Sequence, residues 1–237
     1  NIIAPDNAAT LCNLAEALSL QNNIDEAEAL YRSALRIMPN AAEIRMNFAA
    51  HLLSLGKTDE GWQHYEARLS PDYPSAPIRN LHLPRWDGSS PALKHLLVVS
   101  DQGIGDDIRH GAMLPNLAHE VASLTVECDP RLVRLFERSI PGIRAHGFSR
   151  HKRGGRGYYS YPWLPEENGP ECYVEMGSLP FILRRPHCLE DNEQGYLVPE
   201  QRQVSAFETQ IKALVGTRRA VGISWTSSVR TAIRNAH

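Results

Sequence analysis

The sequence predicts two kinds of structure in series, α-helical repeats followed by a parallel α/β domain. Small and apolar residues recur with a period of about 34 residues before residue 70. After residue 95, short apolar runs alternate with helical patterns, which is typical of a doubly wound parallel sheet. A proline-rich stretch separates the two regions. The 237 residues provide room for one large or two small domains.

The repeat is visible in two segments that superpose on one frame. In the first segment, the small and apolar positions of a tetratricopeptide (TPR) unit are occupied by Leu11, Leu14, Ala15, Leu18, Ala27, Tyr31, Ala34 and Pro39. In the second segment, they are occupied by Phe48, Ala49, Leu52, Gly56, Gly61 and Tyr65. The spacing predicts two amphipathic helices per unit. Arg68 stands where a small residue is expected, so we expect the second repeat to be the last one and to dock on the next domain of the chain.

A TPR array can serve either of two purposes, and the sequence leaves both open. Its concave groove can bind a peptide or a partner protein. Alternatively, the two repeats can merely stack on the neighbouring domain, because one unit cannot bury its own apolar face.

Composition narrows the classes of function. The formal net charge of -2 does not favour binding to nucleic acid or to an anionic membrane. No apolar run reaches the roughly 18 residues of a membrane-spanning helix, so a cytoplasmic protein is expected. The cysteines are scattered without metal-ligand spacing, which predicts neither disulfides nor a metal site. The chain begins at Asn1, and we expect it to be a fragment at both ends.

Four segments are predicted: TPR repeats at 1–69, a Pro-rich linker at 70–94, a Rossmann-like domain at 95–219, and the start of a second Rossmann domain at 220–237. In the linker, Trp86 precedes an Asp-Gly turn, which predicts an ordered connection with an aromatic anchor. The run Ala220 to Trp225 is predicted to be a buried strand, with Val221 to Trp225 as its apolar edge. Without a second domain to cover it, this apolar edge predicts a frayed end or self-association.

The most informative loop comes directly after the first strand of the α/β domain, Leu96 to Val99. Parallel sheets bind ligands at the carboxyl ends of their strands. Gly103 and Gly105 let the backbone approach a ligand there, and the next helix offers free N–H groups. The loop lacks the third glycine of a dinucleotide site and the Gly-Lys-Ser/Thr of a P-loop. Asp106 can therefore accept a proton from a hydroxyl, or it can simply cap the helix.

Other candidate binding residues lie near the same edge. Arg109 and His110 occupy the first turns of the helix, facing either the cleft or solvent. Ser178 comes after a later strand, where it can cap a helix or bind an acceptor. The basic, glycine-rich stretch from Ser149 to Gly157 can contact a phosphate or an anionic glycan, although a solvated loop is the simpler expectation.

Several motifs in this order resemble bacterial TPR proteins with a C-terminal glycosyltransferase-like domain related to the ADP-heptose heptosyltransferases, which have the GT-B fold. The motifs are Gly61-Trp62 with Tyr65 to Arg68, Pro84 to Gly88, Asp101 to Asp106 with Leu114-Pro115, Gly177 to Pro180, and Gly222 to Trp225. The resemblance implies TPR hairpins and then the acceptor-side half of a GT-B enzyme. Nine residues separate Asp106 from Pro115, about one helical turn more than is typical of heptosyltransferases.

The resemblance implies a function as well as a fold. The intact protein would transfer a sugar from a nucleotide sugar to a glycan, lipid or protein acceptor, without an obligatory metal. Asp106 would be the general base, and Gln102, Gly103, Gly105 and Arg109 would shape the cleft. The donor-binding half is missing, so this fragment is expected to be inactive alone.

The rival hypothesis is a non-catalytic TPR interaction module with a scaffold α/β domain. The catalytic hypothesis requires Asp106 to be exposed in an open pocket. The scaffold hypothesis requires its carboxylate to be held by a backbone hydrogen bond, with the open groove on the repeats.

Overall fold

The computed structural model describes residues 7–89, 95–101, 103–154, 156–165, 167–184 and 195–223. The chain divides into two units, Asn1–Leu197 and Val198–His237. The helical region and the parallel sheet both belong to the first unit. The domain boundaries within that unit therefore stay a prediction.

The amino-terminal region is a pair of helical hairpins. Its helices are α1 (Ala8–Leu20), α2 (Ile24–Ile37), α3 (Ala42–Ser54) and α4 (Thr58–Tyr65), followed by a 3₁₀ turn at Glu66–Leu69. Helix α1 packs on α2, and α3 packs on α4. Each hairpin turns at a left-handed residue, Asn22 with φ 64° and Gly56 with φ 73°. These two residues lie about 34 positions apart, as a TPR period requires. The specific assignment to the TPR class stays a prediction.

Small side chains allow the helices to approach each other closely. Four alanines of the hairpins have no exposed surface: Ala15, Ala27, Ala34 and Ala49. Beside them, the rings of Tyr31 and Phe48 stack with their centroids 5.3 Å apart. A Cβ atom at Gly61 would lie 2.8 Å from the side chain of Leu53, so glycine is required where α4 crosses α3.

The remainder of the first unit contains two sheets. The strands are β1 (Ile78–Arg79), β2 (His95–Val99), β3 (Ser123–Cys128), β4 (Arg144–Gly147), β5 (Ser149–Arg153), β6 (Arg156–Ser160) and β7 (Cys172–Glu175). The helices are α5 (Ile104–Gly111), α6 (Leu114–Glu120), α7 (Val133–Ser139) and α8 (Leu179–Ile182), with a 3₁₀ turn at Met176–Ser178.

The main sheet is parallel throughout, in the order β4-β3-β2-β7. Its central strands are buried on both faces, and the side chains of Leu97, Val98 and Val99 have no exposed surface. Val98 packs against the helices, whereas Leu97 and Val99 pack against tyrosines that include Tyr159 of β6. The α/β prediction is confirmed at this level. The arrangement is consistent with a Rossmann-like fold.

A second, three-stranded sheet has the order β1-β6-β5. Strand β1 pairs in parallel with β6, and β5 pairs antiparallel with β6. The basic stretch from Ser149 was expected to be a solvated loop. Its residues Ser149–Arg153 are exposed, as expected, but they form a strand rather than a loop. The stretch forms a hairpin because Tyr158 and Tyr159 on β6 pack against it and Gly154 adopts the left-handed φ of 58° that its turn needs.

Residues 70–89 of the predicted linker are an ordered part of the first unit. The Trp86 side chain is 3% exposed and belongs to the core of the main sheet. Its Nε1 donates to the Ser89 carbonyl at 2.9 Å. Arg85 forms a bridge with Tyr173 of β7, which ties the linker to the sheet edge.

The second unit contains one helix among its described residues, α9 (Gln201–Val215), with exposed apolar residues at Phe207 and Leu214. The strand predicted from Ala220 is not formed at its first four residues, because no neighbouring strand in the described part of the chain provides ladder hydrogen bonds to them. Val221 is 77% exposed. Ser224 and Trp225 lie outside the described residues.

Candidate functional site

The candidate site lies at the carboxyl edge of the parallel sheet. After β2, the chain adds β3 and β4 on one side, and it later returns to place β7 on the other side. This reversal creates a topological switch point between β2 and β7, where open α/β sheets bind ligands. Ser100 and Asp101 come directly after β2 at this point, and Met176–Ser178 comes directly after β7.

The glycine loop has the local structure of a helix start. Gly103 is the residue before α5, and both Gly103 and Gly105 are exposed. The Asp106 Oδ2 accepts the Gly103 backbone N–H at 3.1 Å, which satisfies one of the free donors of the helix. The Asp106 side chain is half-buried, and its Oδ1 makes no hydrogen bond to the residues described. Gln102 lies outside those residues.

The crevice at the switch point is filled by an arginine from the helical region. The Arg68 Nε and Nη2 atoms donate to the Asp101 Oδ2 at 2.8 and 2.7 Å. Its Nη1 donates to the Glu66 Oε1 at 2.8 Å. The side chains of Arg68 and Asp101 are each 2% exposed. Burial alone would lower the pKa of Arg68, but the carboxylates of Asp101 and Glu66 hold it above its ordinary value.

Ser178 belongs to the same buried network. Its hydroxyl donates to the Glu66 Oε1 at 2.7 Å and accepts from Arg68 at 2.7 Å and from Arg85 at 2.9 Å. Arg85 in turn donates to Glu175 at the end of β7, at 2.7 Å. The Ser178 side chain has no exposed surface and makes no capping hydrogen bond to α8. It therefore serves the junction between the helical region and the sheet.

His110 is also placed in that junction. Its ring lies against Trp62 and Tyr65 of α4, with centroid distances of 5.7 and 6.3 Å. Neither ring nitrogen has a hydrogen-bond partner among the described residues. Burial lowers the pKa of His110 to about 4, which keeps the ring neutral near pH 7. Arg109, the preceding residue, is exposed.

Sequence reasoning missed the buried carboxyl group in α5, Asp107. Its Oδ2 accepts the Asp129 backbone N–H at 3.0 Å, and the residue is 2% exposed. Burial raises the pKa of Asp107 to about 7. The signal was available, because Asp107 falls on the apolar stripe of α5 beside Ile104 and Ile108.

Sequence reasoning also missed the way in which the strand-end carboxylates are neutralised. Asp101 pairs with Arg68, and Glu175 pairs with Arg85. Glu127, near the end of β3, pairs with Arg79 at 3.1 Å. All three arginines belong to the segment 68–85. Arginines outside the main sheet thus cover its carboxyl edge.

The described residues contain no group of three or more metal-ligating side chains. Within the same part of the chain, no helix has both the length and the apolar character that crossing a membrane requires.

No family model matches the chain. The chain is similar to Protein FlbA of Caulobacter vibrioides, with 27% identity over 231 residues that cover 95% of this chain and 39% of FlbA. The chain thus spans 39% of the length of that relative. Among solved structures, a mutant O-GlcNAc transferase of Thermobaculum terrenum matches 54% of this chain and 31% of its own, at 16% identity and a TM-score of 0.28. At a TM-score of 0.28, no structural feature of that enzyme can be transferred to this chain.

Proposed function

We propose that this chain is the TPR region and acceptor-side domain of a glycosyltransferase related to the heptosyltransferases. The observation that carries the proposal is the sheet order β4-β3-β2-β7 with a glycine loop directly after β2. That order places the loop at the switch point where such sheets bind substrates. The motif series from Gly61 to Trp225 and the period of the helical hairpins support the same class.

In the proposed reaction, Asp106 is the general base. The acceptor hydroxyl attacks the anomeric carbon of a nucleotide sugar, its proton passes to the Asp106 carboxylate, and the nucleotide leaves with the electron pair of the broken bond. The hydrogen bond from Gly103 orients the carboxylate and leaves Oδ1 for the incoming proton. Gly103, Gly105 and Arg109 are exposed beside it and can contact the acceptor.

The proposal omits two residues that the sequence suggested for substrate binding. Ser178 has its donor and acceptor capacity occupied by Glu66, Arg68 and Arg85, and His110 is covered by α4. Donor binding is assigned to a further domain of a longer protein, in agreement with the 39% of FlbA that the chain spans. We place the protein in the cytoplasm, where nucleotide sugars are available.

Titration calorimetry and turnover assays test the proposal on this chain and on a longer polypeptide that includes a complete second Rossmann domain. UDP-, GDP- and ADP-sugars are the probes. The expected result is binding and turnover by the longer form only. Asp106→Asn should reduce turnover by about 100-fold or more, since general-base catalysis contributes about that much. The variant can still accept the Gly103 N–H, so folding is expected to persist.

The matched control is Asp25→Asn. Asp25 lies in the first turn of α2, just as Asp106 lies in the first turn of α5. Asp25 is exposed. Its replacement should leave turnover unchanged. Equal losses in the two variants would remove Asp106 from the reaction.

A second candidate function, a non-catalytic interaction module, is favoured by one specific observation. Arg68 and Tyr65 of the helical region occupy the switch-point crevice, and Asp106 makes the capping hydrogen bond expected of a scaffold. An open pocket of about 670 Å³ lies on the helical region, with Met38, Ala42 and Ile44 in its wall. Under this hypothesis, that surface binds a peptide. No binding of any nucleotide sugar by either polypeptide would favour it.

A further inference from the structure

A polar pocket of about 330 Å³ opens beside the second sheet. The residues of its wall that matter here are Tyr73, Ser75, Asp101, Arg150, Lys152 and Tyr159. The pocket thus lies between the β5–β6 hairpin, the segment 71–77 and the carboxyl end of β2. Its volume falls in the range of small-molecule sites, about 300–1,000 Å³.

Strand β5 directs two cations to the same side. Side chains alternate between the faces of a strand, so Arg150 and Lys152 share one face and Arg153 lies on the other. In the register with β6, Arg150 is opposite Tyr159, and Lys152 is opposite Gly157. Gly157 has no side chain, and a Cβ atom there would lie 3.2 Å from the Arg150 Cδ, so the glycine makes room for the Arg150 side chain.

Aromatic rings hold the Arg150 guanidinium in position. Its carbon lies 4.7 Å from the centroid of the Phe148 ring and 5.9 Å from that of Tyr159. Its Nη1 donates to the Tyr159 hydroxyl at 3.3 Å. A guanidinium held in position by these contacts loses little freedom when it binds an anion, which favours paired contacts with phosphate or carboxylate.

The wall opposite the cations is also anchored. Arg156 donates to the carbonyl oxygens of Pro71 and Tyr73, the latter at 3.2 Å. These bonds fix the segment that contains Tyr73 and Ser75 against the hairpin. The hydroxyl groups of Tyr73 and Ser75 can add neutral donors to the two charged ones.

The two cations have no anionic partner among the described residues. Neither Arg150 nor Lys152 forms an ion pair there. The carboxylate in the pocket wall, Asp101, is already neutralised by Arg68. Asp129 forms an ion pair with Arg131 at 2.9 Å. The pKa of Asp129 is lowered mainly by Arg131 and to a smaller extent by the charge of Arg150. The pocket therefore has a local positive charge in a protein whose net charge is -2.

We propose that this pocket binds a small polar molecule through a phosphate or carboxylate group, with Arg150 and Lys152 as its charged contacts. Both anions suit the planar donor pattern of a guanidinium next to an ammonium. The proposal concerns binding alone and does not depend on glycosyl transfer.

Calorimetry on the 237-residue chain tests it, with inorganic pyrophosphate, glucose 1-phosphate and glucuronate as the probes. We expect at least one of them to bind, with an affinity that falls as salt is raised. Phosphate probes and glucuronate distinguish the two possible sources of the anion. Lys152→Gln should weaken binding about tenfold, because it removes one charge-assisted contact. Arg150→Gln should weaken it at least as much.

Arg153→Gln is the matched control, since it removes the same charge from the opposite face of the same strand. It should change the affinity less than about twofold. Thermal melting of each variant checks that the fold is intact. Because Lys152 is exposed, its replacement is less disruptive to folding than that of Arg150, which contacts two aromatic rings. No binding of any probe by the native chain, or an equal loss in Arg153→Gln, would overturn the proposal.

Discussion

Replacing Arg68 by methionine should destabilise the first unit more than any loss of a surface ion pair. Methionine preserves much of the length and apolar stem of the side chain but removes its charge and donors. The change deletes two hydrogen bonds to Asp101 and one each to Glu66, Ser178 and the Tyr65 carbonyl. Asp101 then remains buried, at 2% side-chain exposure, without its cation.

The magnitude comes from the asymmetry of buried ion pairs. Forming such a pair yields little net stability, because desolvation offsets the attraction. Removing one partner costs about 3–5 kcal/mol, since the other charge stays buried. A protein of this kind is stable by about 5–15 kcal/mol in total. Arg68→Met should therefore lower the urea midpoint markedly. A second change, Asp101→Asn, should recover about 2 kcal/mol of the loss by removing the orphaned charge.

Urea unfolding followed by tryptophan fluorescence is a suitable assay, because Trp62 and Trp86 are each 3% exposed and report on the two sides of the junction. Arg32→Met is the control. Arg32 bonds Glu28 and Glu60 at the surface, with 43% of its side chain exposed, and its loss should cost about 1 kcal/mol or less. If Arg68→Met costs no more than Arg32→Met, Arg68 does not hold the junction together and the reasoning is refuted.

Three further predictions concern buried groups and close contacts. The native chain should lose about 3 kcal/mol of stability between pH 5 and pH 8, because the buried Asp107 carboxyl (pKa about 7) ionises in this range whereas the carboxyl of the unfolded chain is already ionised. Asp107→Asn should abolish this loss. An unchanged pH dependence of the free energy of unfolding in urea titrations would contradict the prediction. When the pH falls from 7 to 5, the stability of the His110→Leu variant should rise by about 2 kcal/mol relative to that of the native chain. The reason is that the imidazole of the unfolded chain becomes protonated in this range, whereas the buried imidazole (pKa about 4) stays neutral. Parallel curves of stability against pH for the two proteins would rule the prediction out. Gly61→Ala should cost about 1–3 kcal/mol, because its Cβ would lie 2.8 Å from Leu53. Gly105→Ala meets nothing within 4 Å and should be neutral or slightly stabilising in thermal melts, so equal effects at the two glycines would defeat the packing argument.

The parts of the fold that could be predicted are those written in local periodicity. The helices of the hairpins and the buried strand from Leu96 to Val99 are indicated by apolar spacing. The β5–β6 hairpin could not be predicted in this way. Its strand from Ser149 to Arg153 is charged and fully exposed, so no apolar pattern marks it. Its structure depends on tyrosines of the opposite strand, which contact it only once the hairpin has formed.

The candidate site was predictable in location but not in its contacts. The glycine loop after β2 marks the switch point because strand and helix patterns are local. Whether Ser178 and His110 face a cleft or a neighbouring domain depends on how the helical region docks, and no local signal specifies that. One clue did exist. Arg68 stands where the repeat pattern calls for a small residue, and its side chain enters the crevice. A buried arginine at such a position costs little stability only if carboxylates pair with it, as Asp101 does here.

The paired charges at the carboxyl edge explain why the helical region and the sheet form one unit. Arg68, Arg79 and Arg85 neutralise the carboxylates at the ends of β2, β3 and β7. If the arginines were absent, three carboxylates would lie unpaired along the carboxyl edge of the sheet, and the edge would have to stay hydrated. With them, the Arg68–Asp101 pair forms part of the wall of the pocket beside the β5–β6 hairpin. We therefore expect acceptor contacts at Asp106 and anion contacts at Arg150, because the strand-end carboxylates themselves are already paired.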